Sequence, residues 1–533
     1  MSAGHSLARG ALGITAATAI SRVTGFARVV VVAGALGTTF LANVYQTSNT
    51  VPNVIFELLA AGVLTSVFVP TFVDYLVRGQ RDEGWTAANA LTSIALIGLV
   101  GIALVVALAA SLVMELLTIG ISNDALRERE VALGARFLRL FAPQIVFYGA
   151  GMIMTGALHA HRRFTLAAAA PIFNNVVVIA VYLTYAAMRG DARPSVAGIT
   201  DGEVWILGAG TTLGVVAMTL CLIPQLRRLG WKARFRWQPG HPAVRKGARL
   251  GAWALGYAGG YQAGLIVVML LANKVRGGVA AYQWAFTFFY LPHALFGVPI
   301  FNVLFTAMAE HASRGEEGDF HERLRDGLSM LVFLLVPIAA FLVAASQPLA
   351  RLTLEYGVMT QAGAAKVGRV LEAFALGLPT YSAFLVFTRA FYALGETRLP
   401  TLYNAISVAA ASGIGVLFFF TFPTSSRIEG LALAHSVGFA LGTFLLSRAF
   451  KSRFGSAGGT RVTASVVRAL GVGALSLAVM TLVEWVLPEA SKLGLLLNLI
   501  GTAAVGAGVY LLLMWRMRSA ELQRVSSLVR RQR

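Results

Sequence analysis

A single cysteine, Cys221, stands in a chain of 533 residues. One thiol excludes an intramolecular disulfide and a cysteine-based metal cluster. Charge is scarce too: Asp, Glu, Lys and Arg make up 13% of the chain against 57% hydrophobic residues, and the mean hydropathy is +0.71. No soluble protein of this size can hide so much apolar surface, so the chain reads as a polytopic membrane protein. Acidic residues are the scarcer sign, 24 against 44 basic ones. No HExxH pairing or carboxylate cluster accompanies His159 and His161, which are too few for a metal site. No Walker-type loop or ABC signature is present, so nothing on the chain binds a nucleotide to drive it. These absences point away from an enzyme and away from any metal or organic cofactor.

What the chain does have is apolar runs of membrane-spanning length. A helix needs roughly 20 apolar residues to cross a bilayer, and fourteen stretches meet that measure. They lie near 13–37, 41–76, 87–117, 131–159, 165–188, 203–225, 247–273, 279–309, 327–346, 369–394, 400–423, 428–447, 462–487 and 493–515. The fold class is therefore all-α, with about fourteen transmembrane helices. Arg9 precedes the first run, but that run is long and contains arginines, so it reads as a retained span and not a cleaved signal. Pro52 interrupts the second run and Pro292 the eighth, which predicts a kink or break in each.

Basic residues orient the bundle. With the N-terminus inside, cytoplasmic loops take Arg78 and Arg81, Arg162 and Arg163, the eight basic residues from Arg227 to Arg249, and six arginines from Arg516 to Arg533. The opposite loops carry one or two each, so both termini are expected in the cytoplasm. These loops also account for the net charge of +20 without a nucleic-acid partner. The longest basic loop carries Trp231, Phe235 and Trp237 among its arginines, which suits an interfacial helix against anionic lipid.

That loop divides the chain into six spans and eight. The domain plan is a six-helix lobe at 1–226, the basic interfacial linker at 227–249, a second six-helix lobe at 250–450, and two extra helices with a basic tail at 451–533. Weak internal similarity crosses the divide. Thr155-Gly-Ala-Leu-His-Ala160 and Leu166 register with Thr388-Arg-Ala-Phe-Tyr-Ala393 and Leu399 at a constant offset of 233. Val51-Pro-Asn-Val-Ile-Phe56 likewise resembles Leu291-Pro-His-Ala-Leu-Phe296. Equivalent spans cross in one direction, which implies parallel repeats about an axis along the membrane normal, as in transporters. The small residues of Gly251 to Gly264 suit close helix packing.

The first run poses the functional question. It carries Arg22 and Arg28 near its middle, and a charge at the centre of a lipid-exposed helix costs roughly 2.5–3.5 kcal/mol. A polar cavity lined by the helix would account for both, and arginine's planar fork suits a phosphate-bearing ligand. A salt bridge or snorkelling is the competing reading. Six positions amount to about 9 Å of rise and roughly 120° of rotation, so one ligand meets both only in a wide cavity or past a bend at Gly25. Glu57 is either a salt-bridge partner for these arginines or a gating or ion-coupling group. Arg369 and Glu372, at i and i+3, pair most simply with each other, or hold a gate or a coupling ion. Arg136 and Arg139 are expected to snorkel to the headgroups.

Ser21-Arg-Val-Thr-Gly-Phe-Ala-Arg28, with Val51-Pro-Asn53, Ala60-Ala-Gly-Val63 and Phe68-Val-Pro70, resembles the start of the MurJ (MviN) family. Members are lipid II flippases of the multidrug/oligosaccharidyl-lipid/polysaccharide exporter superfamily. The turn Phe391-Tyr-Ala-Leu-Gly-Glu-Thr-Arg-Leu-Pro400 is similar to the family too. The resemblance implies a V-shaped, pseudo-twofold, alternating-access transporter of the bacterial inner membrane, moving lipid II outward. It implies that Arg22 and Arg28 contact the pyrophosphate end of the substrate, and that a groove by the last two spans receives the polyprenyl tail. Asn43 and Thr287 stand where members often carry an acidic residue and an arginine, and Glu57 where a basic residue is common; Ala61-Gly62 replaces an acidic-Gly pair. Arg22, Arg28, Asn43, Glu57 and Thr287 are thus the expected substrate-binding set, and Glu57, Arg369 and Glu372 the expected gating or coupling set. The expected partners are a lipid-linked pyrophosphate, membrane lipids and cell-wall synthesis proteins, with membrane potential or a monovalent ion as driving force. Those departures leave two readings open: a divergent member, or an exporter of another lipid-linked oligosaccharide or of a small molecule in the same superfamily.

Overall fold

The computed structural model describes residues 2–59, 81–190, 192–232, 234–238, 259–455, 459–487 and 491–531. Among them every regular element is helical. Eleven helices are long and apolar enough to cross a membrane, and Gln361–Ala375 with Leu378–Ala393 makes a twelfth span bent by 47°. The two other expected spans, 41–76 and 247–273, run into segments 60–80 and 239–258, outside the described residues; Phe40–Leu59 and Gly259–Ala272 are their described helical parts. The quoted stretches Ala60–Val63 and Phe68–Pro70, and Gly251 to Ala258, also lie outside the described residues.

The chain forms two compact units, Met1–Val279 with Tyr356–Met359, and Ala280–Glu355 with Thr360–Arg533. The first unit holds α1 (Ser2–Leu36), α2 (Phe40–Leu59), α3 (Arg81–Leu108), α4 (Ala110–Leu117), α5 (Asp124–Phe141) and α6 (Gln144–Ala160). It continues with α7 (Thr165–Arg189), α8 (Asp201–Leu220), α9 (Ile223–Arg228) and α10 (Gly259–Ala272). α1 is helical without interruption through Gly25 and packs along α7.

α2 is the polar member, and its Gln46-Thr-Ser-Asn-Thr50 run explains the packing around it. Inside a membrane every polar group needs an internal partner. The Tyr45 and Thr211 hydroxyls meet at 2.7 Å, and the Thr47 hydroxyl donates to Asn273 Oδ1 at 3.0 Å. Ser48 donates to the Val44 and Gly134 carbonyls, and Thr50 to that of Gln46. Around this spine lie the buried rings of Phe137, Phe141 and Tyr182, each edge-on to Tyr45.

The second unit contains most of α11 (Gly278–Pro292), a π turn at His293–Gly297, α12 (Val298–Arg314), α13 (Glu317–Ala344) and α14 (Ser346–Leu354). α15 (Gln361–Ala375), α16 (Leu378–Ala393), α17 (Arg398–Thr421) and α18 (Arg427–Phe454) follow, then α19 (Gly459–Val486), α20 (Lys492–Arg516) and α21 (Ala520–Arg531). The π turn sits directly after Pro292 and just before Pro299, whose missing N–H leaves the Leu295 carbonyl inside the turn without its helical donor. Pro52, by contrast, lies inside continuous helix. α19 and α20 pack on α13 through Val332, Phe333, Val336, Ala469, Val472, Tyr510 and Met514.

The offset of 233 reappears in the backbone. After α6 the Arg163 N–H donates to the Leu158 carbonyl and the Arg162 N–H to that of His159; after α16 the Glu396 N–H donates to Phe391 and the Gly395 N–H to Tyr392. Both are the same helix stop, with Arg162 at φ +57° and Gly395 at φ +74° in the left-handed position. The same offset of 233 relates the carbonyl acceptors at two helix interruptions, while the hydroxyl donors that meet them lie 224 residues apart. Where α5 gives way to α6, Thr212 and Thr219 of α8 donate to the carbonyls of Leu140 and Phe147. Where α15 gives way to α16, Ser436 and Thr443 of α18 donate to those of Ala373 and Thr380.

Two local expectations change. Arg136 pairs with Asp201 at the first residue of α8, and Arg139 donates to Ser111, because the α4 and α8 ends place polar partners beside them. The linker after α9 is not helical over its described part: residues 231–232 and 234–238 form a strap without regular secondary structure on α3. Asn89 draws it there, donating to the Lys232 carbonyl at 3.0 Å and accepting from Trp231 Nε1 at 3.2 Å, while Ser93 accepts from the Arg236 N–H at 3.0 Å.

Candidate functional site

Arg28 is half-buried on α1, and its charge reaches the hydroxyls of Tyr45, Tyr148 and Tyr182 on α2, α6 and α7. Tyr148 also feels Glu57, and its ring lies 4.6 Å from that of Phe56, one residue earlier on α2. Arg28, Tyr148 and Glu57 thus share one neighbourhood in the first unit. Among the described residues neither Arg28 nor Glu57 makes an ion pair or a side-chain hydrogen bond, so the salt-bridge reading of Glu57 finds no geometry there. Arg22 is exposed, about one and two-thirds turns away on the same uninterrupted helix. On either side of Arg22, Asn175 of α7 donates to the Ser21 carbonyl at 3.3 Å and to the Thr24 hydroxyl at 3.0 Å, tying this part of α1 to α7.

A guanidinium held this way can do one thing well. It keeps its donors available in a low-dielectric surround, where an oxyanion is bound more strongly than in water.

The other expected site residues sit elsewhere. Asn43 is fully buried, and both ends of its amide are engaged: Nδ2 donates to the Val275 carbonyl at 2.9 Å and Oδ1 accepts from the Val279 N–H at 3.1 Å. That places it as a clamp on the 275–279 turn. Thr287, half-buried on α11, donates to the Gln283 carbonyl of its own helix. Arg369 does not pair with Glu372: its Nε lies 3.0 Å from Glu429 Oε1 on α18, a closer acceptor than its own helix provides. At the turn between α12 and α13, His311, Glu316 and Asp319 bring their ligand atoms within 4.8 Å of one another, with His311 and Glu316 already hydrogen-bonded.

Sequence reading missed Tyr45, Tyr148, Tyr182 and Asn175. The tyrosines carry no mark that separates them from ordinary core rings. Asn174-Asn175, an amide pair inside an apolar span, was the available signal.

Residues 32–500 match the model of the family described as lipid II flippase MurJ. Among curated relatives, a probable lipid II flippase MurJ of Rhizobium tropici is 28% identical, over 81% of this chain and 78% of its own. One of Thermotoga maritima is 27% identical, with 83% and 85% covered. The lipid II flippase MurJ of Burkholderia cenocepacia is 24% identical, with 84% of each chain covered. The fold is similar to that of a solved lipid II flippase MurJ in an inward closed conformation, with TM-score 0.76 at 19% identity over 93% of this chain and 98% of that one. An inward-facing multidrug MATE-family transporter of the MOP superfamily shares it at TM-score 0.65 and 14% identity, over 84% and 95%. On the match across residues 32–500, this multi-pass membrane protein belongs to the lipid II flippase MurJ family.

Proposed function

We propose that this chain carries lipid II, a polyprenyl-pyrophosphate-linked peptidoglycan precursor, from the cytoplasmic to the outer leaflet of a bacterial inner membrane by alternating access. The observation that supports this reading is Arg28: a permanently charged fork in the middle of a span, half-buried and without an ion pair among the described residues. Family membership supplies the substrate class. Capture of the pyrophosphate falls to Arg28 with Tyr148, and Arg22 meets the substrate nearer the entrance. Both termini lie in the cytoplasm. The chain works as a transporter without catalytic chemistry, driven by membrane potential or a monovalent ion, with Glu57 and the Arg369–Glu429 pair near Glu372 as gating or coupling groups. Thr287 and Asn43 support the walls, and cell-wall synthesis proteins are the expected protein partners.

The test is complementation of a bacterium depleted of its resident lipid II flippase. The wild-type chain restores growth, Arg28→Lys retains part of it, and Arg28→Ala loses it at equal membrane level. Loss of one charge-assisted contact of about 1.5–3 kcal/mol corresponds to roughly 10- to 100-fold in flux. Rescue by Arg28→Ala would overturn the role given to Arg28. Failure of a well-expressed wild type would redirect the substrate to another lipid-linked glycan.

A further inference from the structure

A groove of about 430 Å³ runs between α3 and α6, and Trp231, Arg234 and Phe235 of the basic strap after α9 line it with them. That volume falls within the roughly 300–1,000 Å³ of small-ligand sites. The strap is a fixed wall: Asn89 and Ser93, both buried and one turn apart on α3, are its anchors. Beyond them the groove is apolar, walled by Leu96, Ile97 and Val100 of α3 and by Ala150, Ile153 and Met154 of α6. From Asn89 to Val100 it follows about 16 Å of helix at ~1.5 Å per residue. Ile97 and Val100 are exposed, as befits walls open to lipid on a membrane span.

The mouth is chemically different. Arg234 lines it, exposed and without an ion pair or side-chain hydrogen bond among the described residues. Arg227, Arg228, Lys232 and Arg236 surround it in sequence, and no Asp or Glu occurs between Ile223 and Gln238. An apolar shaft at membrane depth under an unpaired guanidinium is complementary to an acyl chain beneath a phosphate. We propose that this groove is a seat for an anionic glycerophospholipid of the cytoplasmic leaflet. One acyl chain lies between α3 and α6, and the phosphate rests on Arg234. The bound lipid braces the strap against α3. The inference rests on the membrane-spanning fold and not on the transported substrate.

The test uses the purified full chain in detergent, titrated with phosphatidylglycerol or phosphatidylcholine of identical acyl chains and read by native mass spectrometry. The wild type retains phosphatidylglycerol over phosphatidylcholine by about fivefold, the effect of one basic residue near an anionic headgroup. Arg234→Ala removes the preference and leaves phosphatidylcholine adducts unchanged, whereas Lys232→Ala, outside the groove lining, keeps it. Ala150→Trp fills the shaft and removes the retained adducts of both lipids; Ile97→Trp, on an exposed wall, serves if the first variant does not fold. Equal retention of the two lipids by the wild type would overturn the proposal. So would a preference surviving in Arg234→Ala, an equal loss in Lys232→Ala (diffuse surface charge only), or adducts surviving in both groove-filling variants.

Discussion

Arg162 holds a left-handed backbone at φ +57°, in the same helix stop that Gly395 makes 233 residues later at φ +74°. An L side chain in that conformation costs roughly 1–2 kcal/mol, part of which glycine returns through its own loss of about 0.5–1 kcal/mol of chain entropy. Arg162→Gly is therefore expected to stabilise the protein by about 0.5 kcal/mol, seen as a higher thermal midpoint in detergent. A lower midpoint would mean that the Arg162 side chain contributes more than the strain removes. In the second unit the same turn carries Glu396, outside the membrane spans. The N–H of Arg398 donates to its carboxylate at 2.8 Å, with further help from the Leu399 N–H and Arg453, and these hold the carboxyl below its usual range. A depressed folded pKa stabilises above the ordinary carboxylate value of about 4.3 and is lost as pH falls through the folded value. Glu396→Gln should lower the thermal midpoint at pH 7, and the gap from wild type should close as the pH drops below about 4. A gap that persists in acid would assign the effect to packing.

At the scale of elements, the two broken spans show what hydropathy leaves out. Where α5 meets α6 and where α15 meets α16, the helical ladder opens, and a carbonyl freed inside a membrane has no water to turn to. One hydroxyl of a neighbouring helix takes a carbonyl freed at each break, Thr212 that of Leu140 and Ser436 that of Ala373, while Thr219 and Thr443, seven residues on, add bonds to the helix that follows. Interhelical hydrogen bonds in membranes average about 0.6 kcal/mol and reach about 1.7. Thr212→Val and Ser436→Ala, each close in volume, should each cost about 0.5–1.5 kcal/mol in denaturant titration, and the pair should be additive because they lie in separate units. Unchanged stability in both would show that the freed carbonyls need no partner. The spans themselves were legible from apolar run length, and the irregularity expected at Pro292 falls just beyond it, in a π turn bounded by Pro299. Of the kink or break expected at Pro52, the break is not there: the described helix runs on from Phe40 to Leu59. The clamps were not legible, since a threonine in a span reads the same whether it bonds its own helix or the next. Arg369 shows the same limit: spacing offered Glu372, and the fold brought Glu429 from 60 positions away.

For the whole molecule, the order of spans, the repeat offset and the arginine-bearing first helix were all readable, because burial in lipid forces long apolar runs and makes each exception conspicuous. The first unit takes in the chain as far as Val279, and no composition shift marks that point. The tie comes from side chains far apart in sequence: Asn43 grips the Val275 and Val279 backbone, and Asn273 donates to the Leu117 carbonyl. Orientation rests on the basic loops, and the single cysteine makes it testable in the intact protein. In a Cys221→Ser background, one cysteine at a time replaces the exposed Ser195, Ser425, Lys232, Thr397 or Ser452. A membrane-impermeant maleimide added to whole cells should label Ser195→Cys and Ser425→Cys within minutes. It should reach Lys232→Cys, Thr397→Cys and Ser452→Cys only after the cells are opened. The reverse pattern would invert the bundle and put the 227–249 basic loop on the outer surface, against the pull that cytoplasmic anionic lipid exerts on it. A mixed pattern that divides between Lys232 and Thr397 would instead place an odd number of crossings between them. It would break the parallel relation of the two repeats, which needs these two turns on one side of the membrane.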